Sequence, residues 1–170
     1  GVNYFALMSY YLMSPLNFLT VFLPSEWLRE FLMFSVVIKV ACASMFMAIF
    51  LRSLFKKNDF SLVIFGCSFG FCAFFMGYYW NTIWLDTVCI TPLVALGTVK
   101  LFTEGKFRLY IVSLALSLLT NYYIGLFACI FVLLSFIAYN IVKWDCIKKF
   151  ATNLLRTGIY SLIAIGLTAF

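Results

Sequence analysis

Charge is scarce in this chain. Twelve basic and six acidic residues occur among 170, or 11%, where a soluble domain carries about 25%. So few charges cannot cover a water-facing surface, which excludes a soluble globular domain, a disordered segment and a nucleic-acid reader. Histidine is missing altogether, which excludes Ser-His and Cys-His catalysis and His-based metal sites within the chain. There is no CxxC pair: Cys42, Cys67, Cys72, Cys89 and Cys129 fall in apolar stretches and Cys146 in a basic loop. Cysteines so placed act as small hydrophobes, so neither a disulfide nor zinc is expected. A Walker A loop, a GxGxxG fingerprint and an Asn-x-Ser/Thr sequon are absent too, and no cofactor is called for.

What fills the chain instead is apolar. Hydrophobic residues make up 65% and the mean hydropathy is +1.07. This composition predicts an all-α, polytopic transmembrane helical bundle. A bilayer core of about 30 Å needs roughly 20 apolar helical residues. Polar punctuation predicts spans over 31–51, 60–77, 87–102 (kinked at Pro92), 107–120, 123–142 and 154–170, about six, the last truncated. The stretch 107–142 is too long for one crossing at about 1.5 Å per residue, and Asn121-Tyr122-Tyr123 is its natural break. The chain opens on Gly1, ends inside an apolar run at Phe170 and has no signal-peptide pattern, so it reads as a fragment of a longer protein.

The basic residues are unevenly placed. Arg52, Lys56 and Lys57 follow the first span, Lys100, Lys106 and Arg108 the third, and Lys143, Lys148, Lys149 and Arg156 the fifth. These alternate loops hold ten of the twelve. Because lysine and arginine in short loops mark the cytoplasmic side, 52–59, 103–108 and 143–153 are expected there, and 24–30, 78–86 and 121–125 outside. The net charge of +6 is thus an orientation signal. Residues 4–23 are broken by Ser14-Pro15, since proline disfavours helix at the preceding residue, and Tyr4, Tyr10 and Tyr11 suit an interface. Residues 4–23 are open to two readings, a span with Gly1 in the cytoplasm or short interfacial helices; the second is favoured, which makes 1–30 an outer-face interfacial segment and 31–170 the transmembrane domain.

Lys39 stands about eight residues into its span, some 12 Å deep. A lysine at a span centre costs roughly 2.5–3.5 kcal/mol, so it needs an acidic partner, a water-filled cavity or a phosphate, unless its stem snorkels outward. The loop 77–86 is the densest polar-aromatic cluster, with Asp86 its only carboxylate. Asp86 can cap the next helix while the aromatics form an interfacial belt. Alternatively Asp86, Asn81, Trp80 and Trp84 line an outward substrate cavity, aromatic faces suiting sugar rings and a carboxylate suiting hydroxyls. Asn121, Tyr122 and Tyr123 share that face, as a helix cap with belt tyrosines or as part of a joint site. Gly66-x-x-x-Gly70 permits close helix packing, more plausibly within the bundle than in a dimer.

The order of these elements resembles a known family. Tyr10-Tyr11-Leu-Met-Ser14-Pro15-Leu-Asn17, the intramembrane lysine, Asn81-Thr-Ile-Trp84-Leu-Asp86, Glu104-Gly105-Lys106 and Leu119-Thr-Asn121-Tyr122-Tyr123-Ile-Gly125 follow one another as in the YfhO family of bacterial multi-spanning membrane proteins. The resemblance implies a GT-C-like glycosyltransferase of the bacterial cytoplasmic membrane with an extracytoplasmic active face. It implies a polyprenyl-phosphate-linked sugar donor and an envelope polymer, such as teichoic acid, as acceptor. The principal catalytic carboxylate of such enzymes falls in the first outward loop, which would precede Gly1. Asp86 is then a supporting residue, with Lys39, Asn17, Asn81, Trp84, Asn121, Tyr122 and Tyr123 binding substrate. Membrane lipid is a further expected partner; nucleic acid is not. The rival class is a transporter or flippase, for which an intramembrane lysine, short helices and Pro92 are also suited. A transporter should gather its polar residues at the midplane, whereas these gather at the outer helix ends.

Overall fold

The computed structural model of the chain describes residues 13–143 and 147–168. The expected interfacial residues 4–12, with Tyr4, Tyr10 and Tyr11, lie outside the described residues, as does Cys146. Among the described residues two short 3-10 turns, Asn17–Phe22 and Ser25–Trp27, lead into seven helices: α1 Leu28–Phe55, α2 Ser61–Gly70, α3 Ala73–Gly77, α4 Thr82–Glu104, α5 Arg108–Thr120, α6 Tyr122–Val142 and α7 Ile147–Gly166. No strand occurs among the described residues. The protein is an all-α membrane bundle.

Its burial pattern is that of a protein dissolved in lipid. Large apolar side chains such as Met33, Phe34 and Val37 on α1 and Leu133, Leu134 and Ile141 on α6 are exposed. Ser35, Lys39, Thr87, Thr98, Ser117 and Asn140 are buried. Water would favour the reverse; hydrocarbon favours this, because a polar group in lipid must find its partner inside the protein. Thr98 Oγ1 accordingly donates to Val94 O at 2.8 Å and Ser113 Oγ to Leu109 O at 2.7 Å.

Helix α4 is the hub, packing against α1 on one side and α5 and α6 on the other, while α2 lies on α1 and α7 on α5. Two apolar cores result. One joins Ala43, Phe75, Leu85 and Cys89; the other joins Val94, Leu101, Phe102, Tyr110, Leu114, Val132, Phe136 and Ala164. Small residues set the closest approaches. A Cβ on Gly97 would lie 2.7 Å from Tyr110 Cα, and one on Gly66 would lie 2.6 Å from Ser44 O. The Gly66-x-x-x-Gly70 pattern thus seats α2 on α1 inside the bundle.

The structure revises several boundaries. Among the described residues three helical stretches are long and apolar enough to cross a bilayer: Ser25–Phe55, Thr82–Glu104 and Tyr122–Val142. Ser61–Gly77 and Arg108–Thr120 are shorter apolar helices. The expected span 60–77 is broken after Gly70, where Cys72 is extended (φ −67°, ψ 162°) before α3. Helix α7 starts at Ile147, seven residues before the expected 154, and carries Lys148, Lys149 and Arg156. The largest revision concerns α4. It begins at Thr82, not 87, and runs through Pro92, so residues 82–86 form its first turns instead of an outward loop.

Candidate functional site

The revised start of α4 decides where Asp86 stands. It is not the cap; Asn81 occupies that position, without a side-chain bond to the helix. Asp86 lies one turn inside, on the same face as Thr82, because residues four apart overlie one another on a helix. That face meets α1 at Lys39. Lys39 Nζ donates to Asp86 Oδ2 at 2.9 Å and to Thr82 O at 2.8 Å. The pair is sealed, with the two side chains 2% and 8% exposed. Lys39 therefore does not snorkel: of the sequence's options, the acidic partner is the one present. The salt bridge is a tie between α1 and α4 inside the apolar layer, where removing one partner leaves an uncompensated charge.

Above this pair runs an aromatic shelf. Trp84 faces Tyr78 with ring centroids 5.6 Å apart and Tyr123 at 6.2 Å, and Tyr123 meets Phe127 edge-on at 5.6 Å. Trp80 extends the row through Tyr78 at 6.3 Å. Tyr78, Trp80 and Tyr123 are exposed. The shelf joins the α3–α4 turn to the start of α6.

A second polar knot joins α4 to α5 at Thr87, the residue after Asp86. Thr87 Oγ1 is 3.0 Å from Thr120 Oγ1 and donates to Ser117 O at 3.2 Å. Asn121 follows, fully buried, and its Oδ1 accepts from Ile124 N–H at 2.9 Å to cap α6. Its Nδ2 is buried without a hydrogen-bond partner among the described residues.

The structure thus brings Lys39, Asn81, Trp84, Asp86 and Tyr123 to one end of α4, with Asn121 next to Thr120, whose hydroxyl meets Thr87. Tyr122 belongs elsewhere: it lines a cavity of about 430 Å³ with Met13, Leu118, Leu126 and Ile165, on the α7 side. Asn17 opens a 3-10 turn, where its N–H donates to Ser14 O at 3.0 Å and its carbonyl accepts from Thr20 Oγ1 at 2.6 Å. Four participants escaped the sequence reading: Thr82, through its carbonyl, Tyr78, Thr87 and Thr120. The Thr82/Asp86 spacing of four was the available signal. Among the described residues no three His, Cys, Asp or Glu side chains come together as a metal cage.

No curated sequence and no solved structure matches the chain with significance. A family model does: that of the bacterial membrane protein YfhO matches residues 1–170, so the chain belongs to the YfhO family of bacterial membrane proteins.

Proposed function

We propose that the chain forms part of a membrane glycosyltransferase, which moves a sugar from a polyprenyl-phosphate donor to an envelope polymer such as teichoic acid on the outer face of the bacterial cytoplasmic membrane. The observation that supports this reading is the buried Lys39–Asp86 pair beneath the Tyr78–Trp84–Tyr123 shelf, at the end of the bundle poor in basic residues. A lipid-linked donor has its tail in the membrane and its phosphate near the interface. The first turn of α4 carries backbone N–H groups without a side-chain cap, a favourable seat for a phosphate oxygen. Lys39 donates to Thr82 O of that same turn and, with its charge balanced by Asp86, fixes the turn in position. The shelf stacks on the sugar. Asp86 works as a positioning residue: its Oδ2 is occupied by Lys39 and it has almost no exposed surface, so it holds the ammonium in place instead of deprotonating an acceptor.

The test is sugar transfer by the full-length enzyme carrying Lys39→Met/Asp86→Leu. Replacing a buried pair by apolar residues of similar size keeps or raises stability, so folded enzyme is expected at normal abundance. The expected result is a loss of transfer with a raised donor KM, partly retained in Lys39→Arg. Wild-type transfer by the double variant would make the pair a structural tie and overturn the reading.

A further inference from the structure

The opposite end of α4 holds a cluster that this activity does not use. Helix α4 stops at Gly105, in the left-handed region at φ 69°, where glycine carries no steric penalty. The turn is closed by Gly105 N–H to Leu101 O at 3.2 Å and Lys106 N–H to Lys100 O at 3.3 Å. It returns the chain into α5 at Arg108. A cavity of about 440 Å³ opens there, lined by Lys100, Gly105, Lys106, Phe107, Arg108 and Leu109.

A third helix brings a further cation to this turn. Phe107 stacks on Tyr160 of α7, with centroids 4.7 Å apart and planes at 14°. Arg156 lies one turn earlier on the same face of α7. Its guanidinium covers Gly105, with Nη1 3.2 Å from where a Cβ on that glycine would stand. Four cations, Lys100 of α4, Lys106 of the turn, Arg108 of α5 and Arg156 of α7, therefore surround one concave site, together with Glu104, which binds Lys106 at 2.7 Å. The first turn of α5, which lines the cavity through Arg108 and Leu109, has no side-chain cap. An orientation signal needs only positive charge in the loop. It does not need cations gathered from three helices around a hollow by an aromatic stack.

We propose that this basic cavity binds a phosphate group, as presented by the headgroup of an anionic membrane lipid or by a free phosphate. Cations and uncapped backbone N–H groups are what a phosphate oxygen requires, and basic pockets between helices at a membrane face take anionic headgroups. Lys100, half-buried on α4, is one of the lining residues. The proposal needs only that this end of the bundle meets headgroups, so it stands or falls separately from sugar transfer.

The test uses the full-length protein in phosphatidylcholine nanodiscs doped with phosphatidylglycerol, with retained lipid read by native mass spectrometry. In parallel, inorganic phosphate is titrated against melting temperature in nanodiscs of phosphatidylcholine alone. Lys100→Gln/Arg108→Gln is compared with Arg52→Gln/Lys57→Gln, which removes equal charge at the same end away from the cavity. The first pair is expected to weaken phosphatidylglycerol retention by roughly fivefold per cation removed, the second to change it little, and Lys100→Arg/Arg108→Lys to restore it. Selective retention of phosphatidylglycerol without a phosphate-induced shift identifies a lipid headgroup; a shift without retention identifies free phosphate. Should the first variant fail to fold, the exposed Arg156→Gln carries the same comparison. Equal losses in the cavity and control variants, or neither binding signal in the wild type, would overturn the proposal.

Discussion

Lys39 Nζ and Asp86 Oδ2 are 2.9 Å apart, 47 residues apart in sequence, and enclosed by α1 and α4. The pair couples the two longest helices at one point in the apolar layer. Its partners should therefore be strongly non-additive. Lys39→Met alone strands a buried carboxylate, and Asp86→Leu alone strands an ammonium; each is expected to cost about 3–5 kcal/mol. Lys39→Met/Asp86→Leu together should lie near the wild type or above it. Reversible unfolding of the full-length protein in mixed micelles, run as a double-mutant cycle, measures this. Additive losses would mean that the two side chains do not share their charge in the folded protein.

The cation of this pair was legible in the sequence and its partner was not. A lysine in an apolar run announces itself by its cost. Asp86 was hidden because Trp80, Asn81 and Thr82 look like loop residues, so the helix was expected at 87 and the carboxylate outside it. Moving that boundary five residues turns a surface acid into an internal one. The Gly66-x-x-x-Gly70 seam was readable because close packing needs small residues at that spacing. By contrast, nothing local told that the cations around Gly105 converge, since the stack that draws Arg156 in joins Phe107 to Tyr160, 53 residues later. The 3-10 turns after Pro15 were likewise visible only as an interruption.

Two glycines should respond to alanine with opposite signs. Gly97 faces α5 so closely that a Cβ would stand 2.7 Å from Tyr110 Cα and 2.8 Å from its N. These are backbone atoms, so a helix must shift, and overpacking of this kind costs about 1–3 kcal/mol. Gly158 on α7 has nothing within 4 Å of the same position. There alanine only improves helix propensity, by up to about 1 kcal/mol. Thermal unfolding in detergent should show Gly97→Ala below and Gly158→Ala at or above the wild type. Equal behaviour would mean that α4 and α5 do not meet at Gly97.

Asn121 separates capping from substrate binding. Its Oδ1 holds Ile124 N–H at 2.9 Å, so Asn121→Ala should lose about 1 kcal/mol of stability, while Asn121→Ser keeps a capping oxygen and most of it. The buried amide Nδ2 has no such structural duty. If it serves substrate, Asn121→Ser should fold normally and transfer sugar poorly. Normal transfer in that variant would leave Asn121 a helix cap.

The orientation of the bundle has a direct test. The helix ends carrying ten of the twelve basic residues should face the cytoplasm, which places the Tyr78–Trp84–Tyr123 shelf outside. With the six native cysteines replaced, a cysteine is introduced at Lys57 or at Trp80, both exposed, and intact cells are treated with an impermeant maleimide. Trp80→Cys should react at once, and Lys57→Cys only after permeabilisation. Lys57 follows the end of α1 and Trp80 precedes the start of α4, which meets α1 at Lys39, so the two cysteines report on opposite ends of these packed helices and their outcomes are tied. Labelling of Lys57→Cys from outside would put the Lys39–Asp86 pair in the cytoplasmic half of the membrane, and an outward-facing transferase site could no longer be built on it.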